Sequence, residues 1–458
     1  MAAKPLIRRV APVGPAIDEG RTRVYYWWLL VAIFFEYVRP GAFIPVIGAI
    51  KLGTIIPGVL LAVTLVAPGL RPWGDIVSDR YVKWLLAYVA LIAFTVPFAE
   101  VTLYAYNALT DVLTHLTLFV MIARLATSLP RLRGIFASLV AAHLLLIVLN
   151  PALLLTPDAR SYVTGAPFLG DGNDFGLSLC ILFPLAIEIA RRPHGKWGMA
   201  LGWASVVCIL LAILATQSRG ASLAIAAVIA FLWRYSNRKG LSLMAILFLG
   251  IFVLVYASDS YFNRMATIAH YEEDGSAEGR IHAWKASGRM AFDHPLTGVG
   301  AGQFPAMYGR HYRDDGAGKW LTAHSMYFLI LGELGFPGIV TLLVLVLGSP
   351  MALLSLRRRV LAATHGPPPE WQLEAERYLC MLAAGCIGFA VAGAFLSVAY
   401  YPHLFVLTAA TASARLIVKA RLDESDPAAS SVAPRHARFS SRSSAGAEKR
   451  HDVRSRPQ

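Results

Sequence analysis

Four basic side chains stand where an apolar chain has little reason to keep them. Arg219 sits between two apolar runs in ILATQSRGASLAIAAVIAFLW, Arg280 and Arg289 lie in SAEGRIHAWKASGRMAFD, and His324 opens the apolar run AHSMYFLILGELG. A charged group within a bilayer-spanning stretch costs roughly 2.5–3.5 kcal/mol on insertion, so it marks a site or a boundary. A guanidinium beside a helix N-terminus, where free N–H groups and the positive dipole end face outward, suits a phosphate. Histidine is the side chain whose ordinary pKa lies near neutrality, which suits it to take up a proton. Arg219 and Arg280 therefore read as a diphosphate clamp with His324 as the adjacent base, and Arg289 as a further candidate for phosphate or surface contact. A metal site would require carboxylates or several histidines at fixed spacing, and these are missing, so no metal and no cofactor is expected. The plainer alternatives stay open: a snorkelling arginine at a helix end for Arg219, and a cap or interfacial residue for His324.

The elements that must position these groups are membrane helices. Of the 458 residues, 56% are hydrophobic and 15% charged, with a mean hydropathy of +0.55, which excludes an ordinary soluble enzyme. The apolar runs are continuous rather than alternating, so helices and not a β-barrel are expected. They fall near 24–38, 53–69, 81–98, 103–123, 134–155, 173–190, 197–216, 220–234, 241–257, 324–350, 375–399 and 403–418. The reading is an all-α polytopic membrane protein with about twelve transmembrane helices.

The net charge of +14 first suggests nucleic acid, but the basic residues sit in short clusters between apolar runs and in the tail, which points to membrane lipids instead. Alternate loops carry Arg71 and Arg80; Arg124, Arg131 and Arg133; Arg191, Arg192 and Lys196; Arg234, Arg238 and Lys239; then Arg357, Arg358, Arg359 and Arg377. The intervening short loops hold only Arg39, Lys51, Arg160 and Arg219. The positive-inside rule then puts both termini in the cytoplasm, and the turns around Arg219 and His324 on the outer side. The expected organisation is a cytoplasmic segment 1–23, nine helices over 24–257, a large loop on the outer side over 258–323, three helices over 324–420, and a disordered basic cytoplasmic tail over 421–458. The cysteines Cys180, Cys208, Cys380 and Cys386 all lie in apolar spans, without metal-ligand or disulfide spacing.

Length explains the place of Arg219. From Trp197 to Tyr235 the chain is almost unbroken in apolarity, about 58 Å as one helix, while the hydrocarbon core is about 30 Å thick. The chain must turn once, and it turns at TQSRG. Residues 276–304 read as an amphipathic helix, broken at Pro295 and followed by Gly298, Gly300 and Gly302, whose backbones can approach a ligand or form a plain structural turn. Glu333, deep in the run opened by His324, is an intramembrane carboxylate with either a structural or a site role. Tyr308, Tyr312 and Trp320 bring aromatic rings to the same outer stretch, where packing of the loop is the plain reading.

The segments QSRGA, GR…W…A…HPLTGVGAGQF and AHSMYFLILGELGFPG, in this order and on one membrane side, resemble the bacterial O-antigen ligase family, which shares a domain with O-antigen polymerases. The segment GDGNDFGLSLCILFPL is similar to the loop and helix these proteins carry before the central domain. One departure is Ser325, where the family often has Asn after the motif histidine. The resemblance implies a GT-C-like, multi-spanning glycosyltransferase with a periplasmic subdomain, in the bacterial inner membrane with its active site facing the periplasm. It implies an undecaprenyl diphosphate-linked glycan donor, an acceptor hydroxyl on a glycan or lipid A-core, and metal-independent, inverting transfer. Carried over residue by residue, Arg219 and Arg280 bind the donor diphosphate and His324 is the general base. A polymerase with the same chemistry, a ligase acting on another polymer or a protein, and a flippase or secondary transporter are the alternatives.

Overall fold

The computed structural model describes residues 19–155, 163, 168–191, 195–257, 259–266, 275–313, 321–364 and 366–425. The expected cytoplasmic N-terminal segment up to residue 18, the expected disordered tail from 426 onward, and Trp320 lie outside the described residues. Each of the apolar runs forms a helix. These are α1 (Glu19–Val38), α2 (Leu52–Val66), α3 (Arg80–Thr95), α4 (Thr102–Leu125), α5 (Leu129–Leu149), α6 (Gly172–Ala190), α7 (Gly195–Ala215), α8 (Arg219–Tyr235) and α9 (Lys239–Tyr256). The polar stretch that follows carries α10 (Gly275–Asp293), and the chain ends with α11 (Met326–Val346), α12 (Gly348–Ala362), α13 (Glu370–Ala392) and α14 (Pro402–Ser425).

Among the described residues, 8 helices are long and apolar enough to cross a membrane, or 9 if α9 is joined to the helix Asp259–Ala266, from which it is bent by 108°. Helices α11 and α12 count together, as one 37-residue run. The dozen spans expected from the apolar runs is therefore not reached, and the shortfall has local causes. Helix α1 carries Glu19, Arg21, Arg23 and Glu36. Helix α2 has 15 residues with Pro57 inside, and α8 has 17.

Helices α6 and α13 form the centre. They pack backbone to backbone, because a Cβ on Gly385 would lie 2.8 Å from the Ile181 carbonyl oxygen and one on Gly388 2.9 Å from that of Cys180. In lipid, where apolar surface gains little by leaving the tails, such close approach of small residues is what holds helices together. Two buried arginines, one in a loop and one in a helix, are also structural. Arg71 donates to the Ala123 and Ala126 carbonyls at 2.6 Å each, closing the C-terminal end of α4, and Arg415 donates to Asp79 at 2.8 Å.

The feature that organises the outer half is a break in α11. Pro337 has no N–H and its ring crowds the carbonyl four residues back, that of Glu333. The break falls at Gly335, with φ 63° and ψ −157°. It frees two carbonyls, and the glycine loop after α10 takes both: Val299 N–H donates to Gly332 at 3.0 Å, and Gly300 N–H to Glu333 at 2.9 Å. In return Phe336 N–H donates to the Pro295 carbonyl at 2.9 Å. The Glu333 carboxyl accepts from Gly302 N–H at 2.9 Å, Phe304 N–H at 2.8 Å and the Tyr400 hydroxyl at 2.5 Å. The close backbone approach of the glycine loop is thus to α11. Gln303 extends the tie, with its amide bonded to both N–H and C=O of Val101 at 2.9 Å.

Fixed at its C-terminal end, α10 lies along α11. Trp284 donates its indole N–H to the Ala323 carbonyl at 2.9 Å and stacks on Phe328, ring centroids 4.8 Å apart. Two alanine substitutions separate docking from propensity. A Cβ on Gly298 would sit 2.3 Å from the Glu333 carbonyl carbon, at φ +58°, whereas a Cβ on Gly288 meets nothing within 4 Å. Gly298→Ala should lower the thermal midpoint of the purified protein by the equivalent of about 2–3 kcal/mol, whereas Gly288→Ala should be neutral or raise it by up to about 1 kcal/mol.

Candidate active site

On the side opposite the arginine-rich loops, several helix starts and turns converge. Arg219 is the first residue of α8. Ser218 caps that helix, its hydroxyl accepting Ala221 N–H at 3.3 Å, after Gln217 has turned the chain through φ 48°. The α8 start is wedged between two neighbours: a Cβ on Gly220 would lie 3.2 Å from Phe395, and one on Gly176 of α6 would lie 3.1 Å from the Thr216 hydroxyl. Arg219 itself is half-buried.

His324 is held from both sides. Trp284 grips the carbonyl of Ala323 before it, and the Thr322 and Ser397 hydroxyls are hydrogen-bonded at 2.9 Å. Its own φ is 46°, in the left-handed region that a non-glycine residue seldom adopts. The turn 393–401 thus touches both elements: Phe395 the start of α8, and Ser397 the approach to His324.

Arg280, half-buried on α10, lies one turn before Trp284, whose indole holds the carbonyl next to His324. Burial first, and the Arg280 charge second, hold the imidazole below its ordinary value of 6.5, and the carboxylate of Asp171 works against them. Asp171 caps α6, its Oδ1 accepting Asn173 N–H at 2.7 Å, and the next acid, Asp174, faces the Tyr401 hydroxyl at 3.5 Å. Arg280 and Asp171 thus act on the imidazole in opposite senses. The Arg219 helix start comes to the same face through the 393–401 turn.

Arg289 is placed elsewhere. It lies nine residues past Arg280, about 13 Å along α10, and donates to the Tyr312 carbonyl at 2.6 Å. Tyr312 in turn donates to Asp293 at 2.9 Å, and burial with that bond pushes its hydroxyl up to about 12. Tyr308 is buried and parallel to Phe304. No group of three or more His, Cys, Asp or Glu that could hold a metal occurs among the described residues.

Sequence reasoning missed Asp171 as a participant, although it had noticed the segment GDGND. The available signal was an acid at a helix N-cap immediately before an apolar run, in a chain with few acids. Glu333 gave no indication that its partners would be backbone N–H groups about thirty residues earlier.

Long apolar helices define a multi-pass helical membrane protein, with the candidate basic residues gathered at turns and helix starts. Residues 204–343 match the family model described as O-antigen ligase, which supports a membrane enzyme of the O-antigen ligase and polymerase type. The matched span holds Arg219, Arg280, Arg289, His324 and Glu333. No match was found among curated proteins.

The left-handed backbone at His324 can be tested apart from its imidazole. A Cβ costs roughly 1–2 kcal/mol in this conformation, so His324→Gly should melt at a higher temperature than His324→Ala, with glycan transfer lost in both.

Proposed function

We propose that this protein transfers a glycan from undecaprenyl diphosphate to an acceptor hydroxyl at the periplasmic face of the inner membrane, with lipid A-core as the acceptor. The observation that carries the reading is the hydrogen bond from Trp284 to the Ala323 carbonyl, which fixes the helix bearing Arg280, one turn earlier, against the residue before His324, all inside the span matching the O-antigen ligase family. Donor, acceptor and sidedness come from what that family implies, together with the charge asymmetry of the loops.

In this mechanism Arg219 and Arg280 hold the donor diphosphate. The bond between the anomeric carbon and the diphosphate oxygen breaks, and the two guanidiniums stabilise the charge that grows on the leaving group. His324, kept neutral by burial and by Arg280, takes the proton of the acceptor hydroxyl as its oxygen bonds to the anomeric carbon from the opposite side, so configuration inverts. Asp171 steadies the imidazolium that results. Arg289 we assign chiefly to holding the Tyr312 turn, within reach of the surface.

A polymerase would differ only in using a second lipid-linked glycan as acceptor. A transporter reading has less support, because the one deep carboxyl noticed in the sequence, Glu333, has both oxygens engaged by protein donors.

In a strain lacking the native gene, His324→Ala and Arg280→Ala should each reduce surface-glycan attachment by at least about 100-fold with membrane insertion intact. Near wild-type glycan from both would defeat the mechanism. Arg219→Lys should also transfer poorly, since a point charge does not replace a planar fork. Accumulated long unattached chains indicate lost ligation, and short lipid-linked units lost polymerisation.

The pH profile follows from the lowered imidazole. The neutral form is the base, so activity persists as pH falls below 6.5 and is lost only on passing the depressed value. Asp171→Asn removes the charge that raises that value, so the acid limb should move to still lower pH. A limb that stays in place would separate Asp171 from the histidine.

A further inference from the structure

A cavity of about 710 Å³ opens at the arginine-rich end of the bundle, on the side away from His324. Its walls come from α6, α7, α8, α9 and α13. The inner wall is apolar, with Phe183, Ile229 and Met381. The stripe Leu241, Ala245 and Leu249 brings one face of α9 to it, at helical spacing. None of the described side chains of α9 is buried, and Leu247 on its other flank is 59% exposed. Helix α9 therefore stands off the bundle, with the groove on one side and the surrounding solvent, which for this chain is lipid, on the other.

The mouth has a different character. Arg191 caps the end of α6, Arg238 precedes α9, and Arg377 opens the third turn of α13. The only carboxylate in the wall, Glu376, is ion-paired with Arg357, which also covers the Tyr235 ring at 5.3 Å. Among the described residues, Arg191, Arg238 and Arg377 have no ion pair and no side-chain hydrogen bond. Trp203 and Trp233 complete the rim, where amphipathic rings settle at headgroup depth. Three unneutralised guanidiniums above an apolar slot match one kind of molecule, a phosphate carrying hydrocarbon chains.

We propose that this groove is a binding site for an anionic glycerophospholipid, its phosphate held by Arg191, Arg238 and Arg377 and an acyl chain lying along Phe183, Ile229 and Leu249. Guanidinium forks suit phosphate oxygens, and basic pockets between spans on the arginine-rich side are where such headgroups bind. The lipid fills the space between α9 and the bundle. It thereby supports α8, the helix that presents Arg219 at its opposite end.

The test uses the full-length protein in neutral detergent, with phosphatidylglycerol and phosphatidylcholine of matched chains added in equal amounts, and bound lipid read by native mass spectrometry. The wild type should retain phosphatidylglycerol roughly tenfold or more over phosphatidylcholine. The triple variant Arg191→Gln, Arg238→Gln, Arg377→Gln should lose that preference. Equal retention of the two lipids by the wild type overturns the proposal, as does an unchanged preference in the triple variant, or stronger retention of undecaprenyl phosphate than of phosphatidylglycerol. Should the triple variant not be recovered, Ala245→Trp fills the groove and leaves the arginines in place. It should reduce bound phosphatidylglycerol at least severalfold, and undiminished binding refutes the site.

Discussion

The outer half of this molecule depends on the carboxyl of Glu333 and the backbone N–H groups that surround it. An acid in the middle of an apolar helix is tolerable only if donors meet it there. Gly302, Phe304 and Tyr400 supply them, and Gly302 and Phe304 belong to a loop that must fold back under the helix to do so. The loop can enter because Pro337 and Gly335 have already opened α11 and left two carbonyls for Val299 and Gly300. Once it is seated, α10 has nowhere to lie except along α11. Arg280 is therefore brought to His324 by an acid neither of them touches.

The site is mostly cation. Arg280 and His324 are half-buried, so their mutual repulsion is less screened than it would be at an open surface. The imidazole responds by staying neutral, and Asp171 offsets only part of the effect. The left-handed backbone at Gln217 and His324 belongs to the same pattern, since strained conformations persist where surrounding structure over-determines them.

Arginine does three jobs here. Arg71 and Arg415 close helix ends and pair across the bundle, Arg219 and Arg280 face the proposed diphosphate, and Arg191, Arg238 and Arg377 ring a groove at the other membrane face. Counting charges between apolar runs sorts them by side but not by task. That difference is one of partner, and partners are set by packing.

Periodicity and length in the chain alone were enough to locate every long membrane helix, because burial in lipid forces continuous apolar runs whose ends polar residues mark. Helix length bent the chain at TQSRG, and the residue types there and around Arg280 and His324 were enough to suggest an anion and a base. The apolar runs at α1, α2 and α8 are short in the sequence itself, and the structure gives the last two as helices of 15 and 17 residues and leaves α1 with its charges. Spacing could not show that Arg289 turns to Tyr312, that Asp171 acts on His324, or that the glycine loop serves Glu333. Those are meetings between residues tens or hundreds of positions apart. A sequence fixes what each group can bond to, whereas only the folded chain decides which partner is near enough to win.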